Sequence, residues 1–277
     1  SIRLIVADQE DVIRVCHTAI EITRIGEGMG IERKIKSEPL ARTCQKAAEF
    51  AQKARELGAE VIKMTATSAV REAQNQSAVA QALEEAAHLP LTILTGTEEA
   101  ELSYSGAALD FRQPGRALAV LDIGGGSTEL VYDTPKGLSK ASVAVGAVRL
   151  KEDPSLAARL PELLKPLVTE MLPTPLTLVG VGGTITSLAA MDQELAVYAQ
   201  ERVHGYHLSV QAVEKWTERL QVMPLSERQQ LAGLMPKRAD IIDQGALILL
   251  AVLELLGQSE LIVSDKDLLY GLLAAEH

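Results

Sequence analysis

Aromatic side chains make up only 3% of this chain, two Phe, one Trp and five Tyr, so any core must be built from Val, Ile, Leu and Ala. Cysteine is nearly absent. Cys16 and Cys44 have no close spacing and no nearby histidine pair, which excludes a disulfide framework and a zinc-type ligand spacing and points to a reducing, cytoplasmic setting. No apolar stretch reaches the roughly 20 uninterrupted residues of a membrane-spanning helix, and no basic-then-apolar segment opens the sequence, so no membrane partner is expected. An excess of positive charge is also missing. The formal net charge of −10 argues against a general nucleic-acid binder, whose affinity comes from Lys and Arg. A small anionic substrate stays possible, provided a local basic patch or a divalent cation offsets the acidic field.

Hydrophobic residues are plentiful at 47%, and 277 residues exceed the usual size of one core and suit two domains. Apolar β-branched runs at Ile2–Ala7 and Val12–Ile20 suggest a hairpin turning over Asp8–Asp11. A helical period runs from Ser37 to Leu57, with Gly58 placed to end it. Strands are expected at Glu60–Thr65, Leu91–Leu94, Ala117–Leu121, Glu129–Tyr132, Lys140–Val145, Leu176–Val181 and Leu261–Val263. Helices are expected at Ala78–Ala87, Glu98–Leu109, 155–170, 209–220, 226–234 and 239–256. Alternating strands and helices argue for α/β layers, and the stretch near Ala107–Gly115 is the best domain junction. The expected division is 1–107 and 108–277.

The strongest local signal is Val120-Leu-Asp-Ile-Gly-Gly-Gly-Ser-Thr-Glu-Leu130. A buried strand delivers Asp122 to its end, and Gly124, Gly125 and Gly126 then turn the chain towards Ser127. Glycines allow backbone N–H groups to approach phosphate oxygens, and a strand-end carboxylate can hold a hydrated divalent metal. A tight hairpin would bring Glu129 back towards Asp122. An isolated glycine turn is more often a plain hairpin with a capping Asp, but a second one is present downstream. Val179-Gly-Val-Gly-Gly-Thr-Ile-Thr-Ser187 joins a buried strand to a helix, so Gly182, Gly183 and Thr184 present helix N-terminal amides, with the hydroxyls of Thr184 and Thr186, to an anion. It is neither a dinucleotide fingerprint nor a P-loop, since no Lys comes after it.

Glu98 and Glu99 open a helix, where the macrodipole alone favours negative charge; a cleft-facing carboxylate there could also take a proton from attacking water. Arg71 comes after a strand, and its planar fork suits phosphate oxygens. His204 and His207 are read as polar loop contacts rather than a metal pair. The apolar run Leu247–Leu256 is read as core that could also support a homodimer.

Together these segments resemble the exopolyphosphatase and guanosine-pentaphosphatase family of the acetate and sugar kinase, Hsp70 and actin superfamily. The marks are Ala66-Thr-Ser-Ala-Val-Arg-Glu-Ala-Gln-Asn75, Gly96-Thr-Glu-Glu-Ala100, Asp122-Ile-Gly-Gly-Gly-Ser-Thr-Glu129, Gly146-Ala-Val-Arg-Leu150, Gly182-Gly-Thr184, Val203-His-Gly-Tyr206 and Arg238-Ala-Asp-Ile-Ile242. The resemblance implies an α/β protein of two ribonuclease-H-like (actin-like ATPase) domains with an interdomain cleft. It implies phosphate loops at 122–126 and 182–184, Arg71 as the phosphate-gripping residue, Glu99 as catalytic base, Glu129 as its metal or water-positioning helper, and Mg²⁺ as cofactor. The implied substrates are inorganic polyphosphate and guanosine pentaphosphate. A catalytically weak nucleotide- or polyphosphate-binding regulator on the same fold, or a phosphotransferase using another acceptor, are the rival readings. The family opens with a strand and an Asp-x-Gly-Ser-Asn-Ser loop whose last serine Ser1 resembles, so those residues are expected to precede it. Asp267 and Leu269 stand where the family usually has Gly and Arg, and Arg149–Pro154 is shorter than its pattern.

Overall fold

A computed structural model describes residues 1–9, 13–29 and 32–275. The chain divides into two compact units, Ser1–Gly96 together with the end from Leu273, and Thr97–Leu272.

The first unit opens with an antiparallel pair, β1 (Ile2–Gln9) and β2 (Ile13–Glu21). Burial alternates along β2, as expected of a strand with one face covered. The turn expected over Asp8–Asp11 reaches outside the described residues. Helix α1 (Ser37–Glu56) buries Thr43, Ala47, Ala51 and Ala54, a stripe of small residues at helical spacing. α3 (Gln76–Ala87) buries Val79, Leu83 and Ala87, and these side chains share a core with Ile35, Ala47, Ala51, Val70 and Ala73. Two short parallel strands, β3 (Met64–Ala66) and β4 (Leu91–Ile93), complete the unit, with α2 (Ser68–Arg71) between them. β3 is shorter than the strand expected at Glu60–Thr65; residues 61–63 take no strand pairing among the described residues.

The second unit is built on one six-stranded sheet of order β7-β6-β5-β8-β10-β9. Its strands are β5 (Ala117–Ile123), β6 (Thr128–Thr134), β7 (Gly137–Val143), β8 (Leu176–Val181), β9 (His207–Ser209) and β10 (Glu260–Val263). β5, β6 and β7 form an antiparallel meander, β8 and β10 run parallel to β5, and β9 closes the edge antiparallel. That order is the ribonuclease-H arrangement. β5 reads as a continuous apolar run because both its faces are covered. Ala119, Leu121 and Ile123 pack on one side with α7 (Gly183–Asp192), α9 (Val210–Val222) and α11 (Ile242–Leu256). Leu118 and Val120 pack on the other with Ala100, Tyr104 and Ala107 of α4 (Gly96–Phe111). Each fully buried Leu or Ile contributes about 1.5–3 kcal/mol relative to exposure.

Most of α4 lies before the expected junction, yet all but its first residue falls within the second unit. The contact is close: a Cβ at Gly106 would overlap the carbonyl of Asp267, and one at Gly271 the carbonyl of Leu102. The apolar run Leu247–Leu256 is spent in the core of this unit, where Ile248, Leu249, Val252 and Leu253 are fully buried. The single helix expected over 155–170 is broken. Pro154, Pro161 and Pro166 divide it into a 3-10 turn at Pro154–Arg159, α6 (Leu160–Leu164) and a second 3-10 turn at Lys165–Leu167, since each proline removes a backbone donor. The helix expected over 226–234 is the single turn α10 (Leu225–Arg228). The remaining short helices are α5 (Ala147–Glu152), α8 (Gln200–Val203) and α12 (Leu268–Ala274). Among the described residues, no helix is long and apolar enough to cross a membrane.

Candidate active site

The β5–β6 hairpin sets the register of the acidic residues. Asp122 and Glu129 are direct cross-strand partners, so their carboxylates leave the same face of the sheet, the face covered by α4. Glu129 is 2% exposed. Burial, and then the nearby charges of Asp122 and Glu99, pushes its carboxyl up to about 8, while hydrogen bonds from Ser127 and Ser142 act the other way. Glu99 therefore belongs to the same electrostatic cluster, brought there by α4. Ser103, one turn further along α4, donates to Asp122 Oδ2 at 2.9 Å.

The first glycine turn is oriented by the start of α5, just beyond β7. The amides of Ala147 and Val148 donate to the carbonyls of Gly124 and Gly125 at 3.1 and 2.8 Å, and Arg149 Nε donates to the Gly126 carbonyl at 3.0 Å. In a trans peptide the N–H points opposite the C=O. With the three carbonyls turned to α5, the amides of Gly125, Gly126 and Ser127 are turned away from it, the geometry of an anion-binding nest. Gly146 makes this approach possible: a Cβ on it would stand within 2.6 Å of the backbone of Gly126.

The second turn lies beside the first. Gly182, at φ 89°, caps α7, and a Cβ on it would stand 2.6 Å from Asp122 Oδ1. Gly183 and Thr184 open α7, whose first amides have no helical acceptor. Arg238 braces this loop, donating to the Gly183 carbonyl at 2.8 Å and to Ser187 Oγ at 3.2 Å. The threonine side chains have neighbours of their own. Thr186 Oγ1 donates to the Gly182 carbonyl, and the Thr184 side chain lies against Gly245 of α11.

Thus Glu99, Asp122, Glu129, the 124–127 turn and the 182–184 turn are gathered in the second unit. Arg71 lies in the first, where its Nη1 donates to the Leu94 carbonyl at 2.7 Å. His204 contacts Asp110 and accepts from the Asp265 amide, and His207 pairs with Glu260. Sequence reasoning gave no role to Ser103, Ser142, Arg238 or Gly146. The last two stand inside quoted motifs, whereas the serines carry no local signal at all.

Two glycine turns beside the half-buried Asp122 and the buried Glu129, at the end of a ribonuclease-H sheet, belong to the actin-like ATPase fold. The model of the Ppx/GppA phosphatase family matches residues 4–276, and the chain belongs to that family. It is 33% identical to Exopolyphosphatase 2 of Mycobacterium tuberculosis over 299 aligned positions, covering 98% of this chain and 94% of that protein. Among solved structures, the Aquifex aeolicus Ppx-GppA enzyme superposes with a TM-score of 0.80 at 27% identity, over 99% of this chain and 95% of that one. An exopolyphosphatase from Cytophaga hutchinsonii shares the fold, with a TM-score of 0.88 at 23% identity over 99% and 93% of the two chains. The family and these relatives indicate phosphatase hydrolase activity.

Proposed function

We propose that the chain hydrolyses terminal phosphoanhydrides, with inorganic polyphosphate as first substrate and guanosine pentaphosphate as second. The observation that carries this reading is the three-carboxylate cluster of Glu99, Asp122 and Glu129 beside two glycine turns. The name of the mycobacterial relative supports polyphosphate.

The donor set suits Mg²⁺. Among the described residues no group of three or more His, Cys, Asp or Glu is placed to hold a metal ion, but Mg²⁺ typically takes one or two carboxylates and completes its shell with water and substrate phosphates. Asp122 and Glu129 would supply those carboxylates. Bound there, the ion would neutralise charge developing on the phosphates. The amides of Gly125, Gly126 and Ser127, with those of Gly183 and Thr184, hold phosphate oxygens in this reading. Glu99 orients the attacking water and takes its proton, and Arg71 is assigned the terminal phosphate by the family resemblance.

The test is phosphate release from long-chain polyphosphate and from guanosine pentaphosphate, with and without Mg²⁺. Metal-dependent release is expected, with a loss of about 10²–10⁴-fold in Glu99→Gln, the usual contribution of a general base. Release by Glu99→Gln at the wild-type rate would remove Glu99 from the mechanism. A folded wild type that binds polyphosphate without cleaving it would sink the hydrolase reading.

A further inference from the structure

Besides Ser127 of the glycine turn, hydroxyls from two other elements hold the acidic pair. Ser142 on β7 is the cross-strand partner of Glu129, as Glu129 is of Asp122. Three side chains thus form a row across three strands, on one face of the sheet. Ser142 Oγ donates to Glu129 Oε1 at 2.7 Å. From α4, Ser103 donates to Asp122 Oδ2 at 2.9 Å and is 1% exposed. Ser103 also lies four residues after Glu99, so the two share a helix face.

An Asp or Glu side chain has a broad terminal torsion, and rotation of the carboxylate plane changes which lone pairs face the site. A hydroxyl donated to one oxygen removes that freedom. Because the two serines come from β7 and α4, they also tie the pair to the strand beyond β6 and to the helix that carries Glu99. Outer partners of this kind, when removed, commonly cost about 10–100-fold in metal affinity or activity.

Resting on the phosphohydrolase reading above, we propose that Ser142 and Ser103 are positioning residues: Ser142 fixes the Glu129 carboxylate, and Ser103 fixes Asp122 while setting α4 so that Glu99 meets the pair. Ser142 is exposed, so Ser142→Ala leaves no cavity in the core and Ser142→Thr keeps the hydroxyl. Ser142 therefore gives the cleaner test, and Ser103→Ala is read only if its melting temperature stays near wild type.

The experiment uses the full chain and the variants Ser142→Ala, Ser142→Thr and Ser103→Ala. It measures kcat and KM on long-chain polyphosphate across a Mg²⁺ series, and Mn²⁺ affinity without substrate from the loss of the free-ion paramagnetic resonance signal. Ser142→Ala should lower kcat and weaken Mn²⁺ about tenfold each, with KM and melting temperature close to wild type. Ser142→Thr should recover most of both. Wild-type kcat and Mn²⁺ affinity in Ser142→Ala, or a Thr variant as impaired as the Ala one, would overturn the proposal. Should the wild type release no phosphate, the hydrolase reading fails by itself. The Mn²⁺ titration then decides for the serines, and an absence of Mn²⁺ binding in the wild type counts against them.

Discussion

The two units reach stability by different means. The second has a continuous six-stranded sheet with large aliphatic side chains on both faces. The first has two separate two-stranded pairs and a core in which Ala47, Ala51, Ala73 and Ala87 are half of the buried residues. Small side chains allow close helix approach but bury little apolar area, so hydrogen bonds from loops matter more there. Asn75 is the clearest case: it accepts from the Ile35 amide and donates to the Ile35 carbonyl, at 3.0 and 2.9 Å. The contrast assigns the acidic cluster to the unit with the larger core, where Asp122 and Glu129 each accept from a serine hydroxyl.

The largest expected effect tests that contrast directly. Leu188→Ala, at a fully buried site of the second core, should cost about 2–5 kcal/mol, read from the denaturant midpoint. Hydrogen exchange should rise in β5 and β8 well before it rises in α1. Equal acceleration in α1 would show that the two cores do not open separately.

The pH dependence of the metal-free protein comes next. The Glu129 carboxyl is raised from the ordinary 4.5 to about 8, so the folded state holds more protons than the unfolded state in that window. Its stabilising contribution is complete below about 4.5 and is lost as pH rises through about 8. With a chelator present, the melting temperature should be higher at pH 6 than at pH 8.5, and Glu129→Gln should remove most of that difference. An unchanged difference would place its source elsewhere.

Asn75→Ala should destabilise the first unit by roughly 1–3 kcal/mol, because it leaves the Ile35 amide and carbonyl without their partner. Exchange should accelerate around α1 and α3, leaving kcat per folded molecule near wild type. Smallest is Ser209→Ala. Ser209 caps α9 by accepting from the Ala212 amide at 3.1 Å, and its loss should cost about 1 kcal/mol in the unfolding midpoint.

Legibility in the sequence divides in the same way. Leu176–Val181 is the expected strand residue for residue, and the hairpin that returns Glu129 to Asp122 can be read from a glycine turn between two apolar runs. The 155–170 segment reads as one helix because its apolar spacing is helical, but Pro161 and Pro166 each withhold a donor and break it. The hydroxyl roles expected of the threonines at 184 and 186 are beyond local sequence to decide, since that requires knowing what α11 brings against the loop. Ser103 and Ser142 are invisible for a related reason. Each matters only through a partner on another element, 19 and 13 residues away, and a serine within a helix or strand announces nothing.

The glycine contacts at Gly106 and Gly271 have a mechanical meaning for the helix they seat. With no β carbon at either position, the backbone of α4 lies directly against the segment from Asp267 to Gly271, which acts as a stop behind the helix. A single added methyl group would work as a shim, lifting the helix and shifting Glu99 relative to Asp122 and Glu129. Two positions outside the acidic cluster thereby set its spacing.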